Sequence, residues 1–249
     1  MTQKMNKFNS LKKTTRVDFA TYFGVIAAFV IVTVLQSNGS LKRSVIGLLV
    51  PICCYMSMAV SLNLTVGILG ELSLGHAGFM SVGAYTGIVT AVALESAVPS
   101  DPMRLIISIV VGAIAAAILG FLIGIPVLRL SGDYLAIVTL AFGEIIKNIM
   151  NAVYLGVDDS GLHFSLKDAA SMNMAEDGKI LINGAMGITG IKKTSTFTMG
   201  IILVLITLVV VLNLIRSRAG RAISAIRDNE IAAKSIGINI TRYKLMAFV

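Results

Sequence analysis

Residues 105–128 read LIISIVVGAIAAAILGFLIGIPVL, twenty-four consecutive positions without a charged side chain. About 20 mostly apolar residues are enough to cross the hydrocarbon core of a bilayer. In lipid, only helices or closed barrels satisfy every backbone polar group. The run is continuous rather than alternating, so it reads as a helix. Five further runs read the same way: Phe19–Gln36, Val45–Leu69, Leu72–Leu94, Tyr134–Leu155 and Phe197–Ile215. A seventh begins at Leu245 and reaches Val249. The expected fold is all-α, a polytopic transmembrane helix bundle of about six spans plus the start of a seventh.

The whole composition agrees. Of the 249 residues, 56% are hydrophobic and 14% charged, and the mean hydropathy is +0.87. A soluble domain carries roughly 25% charged residues. Disorder is excluded, because disordered chains are poor in apolar residues. Cys53 and Cys54 are adjacent within an apolar run. Disulfide frameworks and cysteine zinc sites need spaced cysteines, so these two read as buried thiols.

The net charge of +8 calls for either nucleic acid or basic cytoplasmic loops as its explanation. Its distribution decides. Lys4, Lys7, Lys12, Lys13 and Arg16 precede the first span against Asp18 alone. No small-residue cleavage site follows that span, so it reads as an uncleaved anchor. The positive-inside rule puts residues 1–18 in the cytoplasm as a basic N-terminus. Six crossings return the chain there after Ile215, and residues 216–244 carry seven basic residues and two acids. Residues 156–196, with five acids and four bases, then form an extracytoplasmic loop. Lys42 and Arg43 fall on the wrong side of this scheme. No nucleic-acid-binding pattern is present, so lipid rather than nucleic acid is the expected environment.

Residues 61–85 read SLNLTVGILGELSLGHAGFMSVGAY. From Gly67 to Gly78 the glycines are too dense for a regular helix, since each costs about 1 kcal/mol against alanine. Irregular backbone at membrane depth is tolerated only where it lines protein or a cavity. In transporters such breaks lie beside the substrate path. Gly67, Gly70, Glu71, Gly75, His76 and Gly78 are therefore the candidate pathway residues, on a broken or re-entrant helix. Gly83 with Gly87, and the series Gly112, Ala116, Gly120 and Gly124, form small-residue seams that let membrane helices pack closely.

Ionisable groups in or beside the spans are Glu71, His76, Asp133, Glu144 and Lys147. Such groups face the bundle interior or water. Glu144 and Lys147 are three apart and read as a self-neutralising pair. His76 reads as a hydrogen-bonded structural histidine in preference to a proton relay. The second histidine, His163, lies in the outer loop. No catalytic constellation, metal-ligand spacing or cofactor motif is visible. Residues 187–194, GITGIKKT, resemble a phosphate-binding loop, but Lys192 stands where its second glycine belongs. ATP, if it drives transport, must bind another subunit.

Between Ala222 and Ile236 an apolar stripe runs through Ile223, Ile226, Ala233 and Ile236, with Gly237 placed as a C-cap. The expected helix could rest on lipid head groups or dock a soluble partner. The residues leave the two readings even.

Four strings taken together resemble the Liv-type branched-chain amino-acid ABC transporter permeases. They are residues 61–85, LRLSGDYLAIVTLAFGEIIKNIMN at 128–151, NGAMGITGI at 183–191 and GRAISAIRDNEIAAKSIGINITRYKLMAF at 220–248. The GDYLAIVTL string and the long loop after it resemble the M-type subunit of the permease pair. In NGAMGITGI, Ala185 stands where the family usually has proline. The resemblance implies a bacterial plasma-membrane permease, itself not an enzyme, importing amino acids by alternating access. It implies a second permease as heterodimer partner, two cytoplasmic ATP-binding subunits, an extracytoplasmic substrate-binding protein and no cofactor. It also favours the docking reading of residues 216–244 as an ATPase-coupling segment. Ala232, Ala233 and Gly237 match the E-A-A-x-x-x-G pattern, with Ile231 at the glutamate position and Glu230 one residue earlier. The coupling role passes to Glu230, Ala232, Ala233 and Gly237.

Residues 1–249 then form one permease domain, incomplete at its C-terminus. Five residues after Leu245 rise only about 7 Å, too little for a span, so this length alone is not expected to support transport. Three other readings compete. A permease for urea, amides or another small polar solute differs in the binding protein beside it. A secondary transporter would work without ATPase chains. A membrane enzyme lacks any catalytic group set here.

Overall fold

The computed structural model describes residues 2–249 except 96, 131, 159–160, 169, 173–177, 189 and 192–193; side chains are described from residue 19, save 170 and 179. The basic side chains of residues 4–16, Asp18 and Lys192 thus lie outside the described residues. The chain divides into two compact units, residues 1–61 with 195–221 and residues 62–194 with 222–249.

The first unit holds α1 (Thr2–Ser37), most of α2 (Arg43–Asn63) and, from the later segment, α6 (Phe197–Arg216). The first span is the C-terminal part of one long helix rather than an element following a separate tail. Its core gathers Cys53 of α2 and Ile201, Val204 and Leu208 of α6, flanked by Tyr22, Val25 and Phe29 of α1. Phe29 and Phe197 meet at a centroid distance of 5.5 Å. Gly200 faces Cys53, and a Cβ at Gly200 would lie 2.9 Å from the Cys53 Cβ. Each of these positions recurs at helical spacing, which is why three apolar helices share one seam.

In the second unit, α2 runs into a π-helical turn, Leu64–Leu69, which ends at Gly70 with φ +80°. Residues 70–75 are non-helical, and α3 begins only at His76 (His76–Ala93). The span expected at Leu72–Leu94 therefore starts four residues late. Left-handed backbone at Gly70 is open to glycine at little cost and stops the preceding helix. Among the described residues five helices are long and apolar enough to cross a membrane, and α3 is not one of them. His76 and the polar residues of α3 make it shorter and less apolar than the other five.

Helices α4 (Asp101–Val127) and α5 (Asp133–Ala152) follow. α5 stops before Leu155, where the fifth span was expected to end. Tyr154 and Leu155 instead enter a three-stranded antiparallel sheet, order β2-β1-β3: β1 (Tyr154–Asp158), β2 (Gly161–Ser165) and β3 (Lys179–Asn183). The loop reading had no sheet in it. Short strands hydrogen-bonded through their backbones leave little periodic trace in sequence.

The segment after α6 also differs from expectation. One helix over Ala222–Ile236 is replaced by α7 (Arg218–Asp228) and α8 (Glu230–Ser235). Asn229 separates them, its side chain accepting a hydrogen bond from the Ala232 backbone NH at 3.0 Å. Asparagine is among the best N-cap residues and restarts the helix here. Ile223, Ile226 and Ala233 are buried, so the expected stripe packs on protein, whereas Ile236 is 76% exposed. Gly237, at φ +86°, closes α8. The Ile238 NH donates to Ala233 O and the Gly237 NH to Lys234 O, the Schellman pattern. Gly237→Ala is expected to lower stability by about 1 kcal/mol, the cost of a left-handed alanine. Thermal unfolding of the solubilised protein checks it. Finally α9 (Ile240–Phe248) begins five residues before Leu245, capped by Asn239.

Candidate coupling and pathway site

The small-residue seams make direct backbone contacts. A Cβ on Gly112 would lie 2.5 Å from Gly83 O, and one on Gly87 would lie 3.2 Å from Ser108 O. Ala116 lies against Gly83. The stripe on α4 then changes partner: Gly120 faces Val249, and Gly124 faces Leu245 and Phe248 of α9. One helical face thus seats α3 along one half and α9 along the other.

The expected pathway residues separate into three environments. Gly75 and Gly78 lie against α5. A Cβ on Gly75 would come 2.7 Å from Thr139 O, and one on Gly78 would come 3.0 Å from the Ile146 Cδ1. The Leu74 NH donates to Thr139 Oγ1 at 3.0 Å, so the buried threonine satisfies backbone that the break leaves open. His76 forms the second environment. Its Nδ1 lies 3.1 Å from Ser73 Oγ, and its ring meets Phe79 and Phe248 edge-on at 6.0 and 5.7 Å. Those are the contacts of a packed, hydrogen-bonded histidine.

The third environment holds Gly67, Gly70 and Glu71, which turn towards residues 227–247. Arg227 of α7 packs on Gly70, and its Nη1 donates to Gly67 O at 3.4 Å. Thr65 Oγ1 donates to Ala247 O of α9 at 3.1 Å. At the centre stands Lys244, its side chain 3% exposed. Its Nζ lies 2.5 Å from Glu71 Oε1 and 3.0 Å from Glu230 Oε2. Glu230 is half-exposed at the first position of α8, whereas the Glu71 side chain is 12% exposed and its Oε2 has no hydrogen-bond partner among the described residues. Burial by itself would lower the Lys244 pKa. The hydrogen bonds and charges of Glu71 and Glu230 outweigh it and hold the ammonium above the ordinary lysine value. The lysine therefore remains a cation between two carboxylates.

The candidates Glu71 and Glu230, assigned to different roles, are thus held by one cation. Sequence reasoning missed Lys244, Arg227, Thr65 and Thr139. A lysine immediately before an apolar run reads as an orienting charge. Its two partners, 14 and 173 positions away, carry no local signal. Of the other coupling candidates, Ala232 is exposed, Ala233 is buried and Gly237 is the exposed cap. Ile231 and Ile236 stand out of α8 at 83% and 76% exposure. Glu144 and Lys147 pair at 3.1 Å on α5. Among the described residues no three His, Cys, Asp or Glu side chains gather as a metal site.

Residues 44–249 match the family model described as branched-chain amino acid transport system / permease component. The LivM high-affinity branched-chain amino acid transport system permease protein of Salmonella typhimurium is 34% identical over 207 residues, 78% of this chain and 46% of that protein. LivM of Escherichia coli is 33% identical over 207 residues, with the same shares. The chain spans about half the length of the curated relatives it matches. No solved structure matches it. With five helices among the described residues long and apolar enough to cross a membrane, and these relatives, the chain is a multi-pass membrane protein. It belongs to the family of permease components of branched-chain amino acid transport systems.

Proposed function

We propose that this chain is a transmembrane permease subunit of a binding-protein-dependent ABC importer for branched-chain amino acids. It forms half of a translocation pathway that works by alternating access. It catalyses no reaction itself; ATP is hydrolysed by two separate cytoplasmic subunits, a second permease supplies the other half, and an extracytoplasmic binding protein delivers substrate. The N-terminus and the segment 216–244 are cytoplasmic, in the bacterial plasma membrane.

The observation that carries this reading is the Lys244 bridge. α8 exposes Ile231, and Ile236 directly after it is exposed as well, so both are free to meet a partner. The same helix begins at Glu230, which Lys244 ties to Glu71 in the helix break. A push on α8 therefore reaches the broken segment through an ion pair rather than through a flexible loop. Rigid elements joined by such contacts are what transmits a conformational change between sites.

Two measurements test it. The solubilised chain is expected to bring two ATPase chains with it on purification. Ile236→Cys is expected to cross-link to an ATPase subunit carrying a surface cysteine, and to do so differently with and without ATP. Ile236 serves better than Gly237, where a cysteine would strain the left-handed cap. Purification without ATPase chains, or cross-linking only from the sheet between α5 and α6, would overturn the assignment.

A further inference from the structure

A cleft of about 370 Å³ lies between α3 and α5, lined by Gly78, Ser81, Tyr85, Glu144, Lys147 and Asn151 among others. The volume falls within the roughly 300–1,000 Å³ of small-molecule sites. Ser81 and Tyr85 are four apart on α3, while Glu144, Lys147 and Asn151 recur on one face of α5, so each helix turns one stripe into the same space. At 1.5 Å per residue, Glu144 sits about 16 Å along α5 from Asp133 and about 12 Å from Ala152. It is therefore near mid-depth of a membrane-crossing helix. Yet the Glu144 and Lys147 side chains are 55% and 63% exposed. Ionisable groups at that depth face water or protein rather than lipid. This face of α5 is accordingly a wetted or covered one.

The pair is not saturated. Lys147 Nζ donates to Glu144 Oε2 at 3.1 Å and Oε1 at 3.4 Å. An ammonium has three donors and a carboxylate about four acceptor sites. Both groups keep capacity directed at the cleft. A ligand that carries one carboxylate and one ammonium on the same carbon would add a counter-charge to each, closing a ring of four alternating charges. A neutral solute would leave the pair as it is.

Resting on the function proposed above, we infer that the α3–α5 cleft is a transport subsite for a zwitterionic α-amino acid. Lys147 takes the carboxylate and Glu144 the ammonium. Tyr85, Ser81 and Asn151 supply neutral polar contacts, and Leu74, Leu140 and Met150 an apolar wall. Of the six pathway residues expected from sequence, only Gly78 lines this cleft. The subsite thus adjoins the end of the break, through Leu74, and extends along α3 to Tyr85.

The test uses the assembled transporter in proteoliposomes, with Cys53 and Cys54 replaced by alanine and Ser81→Cys as a reporter of the cleft. Leucine is expected to slow thiol labelling at position 81. 4-Methylpentanoate, which lacks the ammonium, and isopentylamine, which lacks the carboxylate, are expected not to. Glu144→Gln and Lys147→Met are each expected to raise the leucine concentration needed for protection about tenfold, as loss of a charged hydrogen bond does. The exchange Glu144→Lys with Lys147→Glu restores an intrahelical pair but reverses its direction, so protection is expected to stay lost. Protection by either half-charged analogue, no protection by leucine, full recovery in the exchanged variant, or a cysteine that never labels because another chain covers it overturns the subsite. ATP-driven leucine uptake is measured in parallel. Uptake without protection removes the subsite and leaves the proposed function standing, whereas absence of uptake counts against the function itself.

Discussion

Lys244→Met is expected to lower the stability of the solubilised protein by roughly 3 kcal/mol, the lower end for breaking a buried ion pair. The substitution keeps most of the apolar stem but removes the cation from between Glu71 and Glu230. Glu71, only 12% exposed, then has neither carboxylate oxygen satisfied by Lys244, and its Oε2 already has no partner among the described residues. Glu230 is half-exposed and recovers water, so its arm of the bridge contributes less. Adding Glu71→Gln to Lys244→Met should return part of the loss, because a neutral amide needs no counter-charge. Thermal unfolding of the single and double variants gives the coupling between the two positions. In the assembled transporter the single variant is also expected to hydrolyse ATP while moving little substrate. A lysine that only braced the fold would lower uptake and hydrolysis together.

Gly112→Val is expected to cost about 1–3 kcal/mol and to disrupt the contact of α3 with α4. The cause is geometric. A Cβ at position 112 would lie 2.5 Å from Gly83 O, and the atom it meets is backbone, which cannot rotate aside. The two helices must separate or slide, which also disturbs the paired approach of Gly87 to Ser108. Gly47→Ala is the control, since a Cβ there meets nothing within 4 Å. It removes a flexible residue from a helix and is expected to be neutral or mildly stabilising. Equal losses at positions 47 and 112 would show that glycine at 112 serves no close approach.

Much of this molecule was readable from composition and spacing. The uninterrupted run 105–128 leaves a helix as its one economical form in lipid. The small residues at 112, 116, 120 and 124 mark a packing face because four-residue spacing repeats on a helix. The glycine-rich stretch from 67 to 78 announces an interruption, and the chain is non-helical from Gly70 to Gly75. Gly237 announces a cap, because only a residue without a Cβ takes φ +86° without strain. Other features were not readable. The three-stranded sheet after α5 depends on backbone pairing, and β1 reaches β3 across more than 20 positions. The split of α7 from α8 turns on one side chain, Asn229, which by composition alone fits a helix surface as well.

What the sequence by itself determined is the material: apolar helices, where they break, and which faces carry small residues. These follow from the immediate neighbours of each residue, since hydrophobic period and glycine density are local properties. What only the tertiary structure decided is which charges meet. Lys244 reads as an orienting cation until folding brings Glu71 and Glu230 to it across 173 and 14 positions. Glu144 and Lys147 read as a closed pair until α3 sets Ser81 and Tyr85 opposite them. Charge pairing depends on distance in space, and in this chain that distance is set by where glycine lets backbones approach.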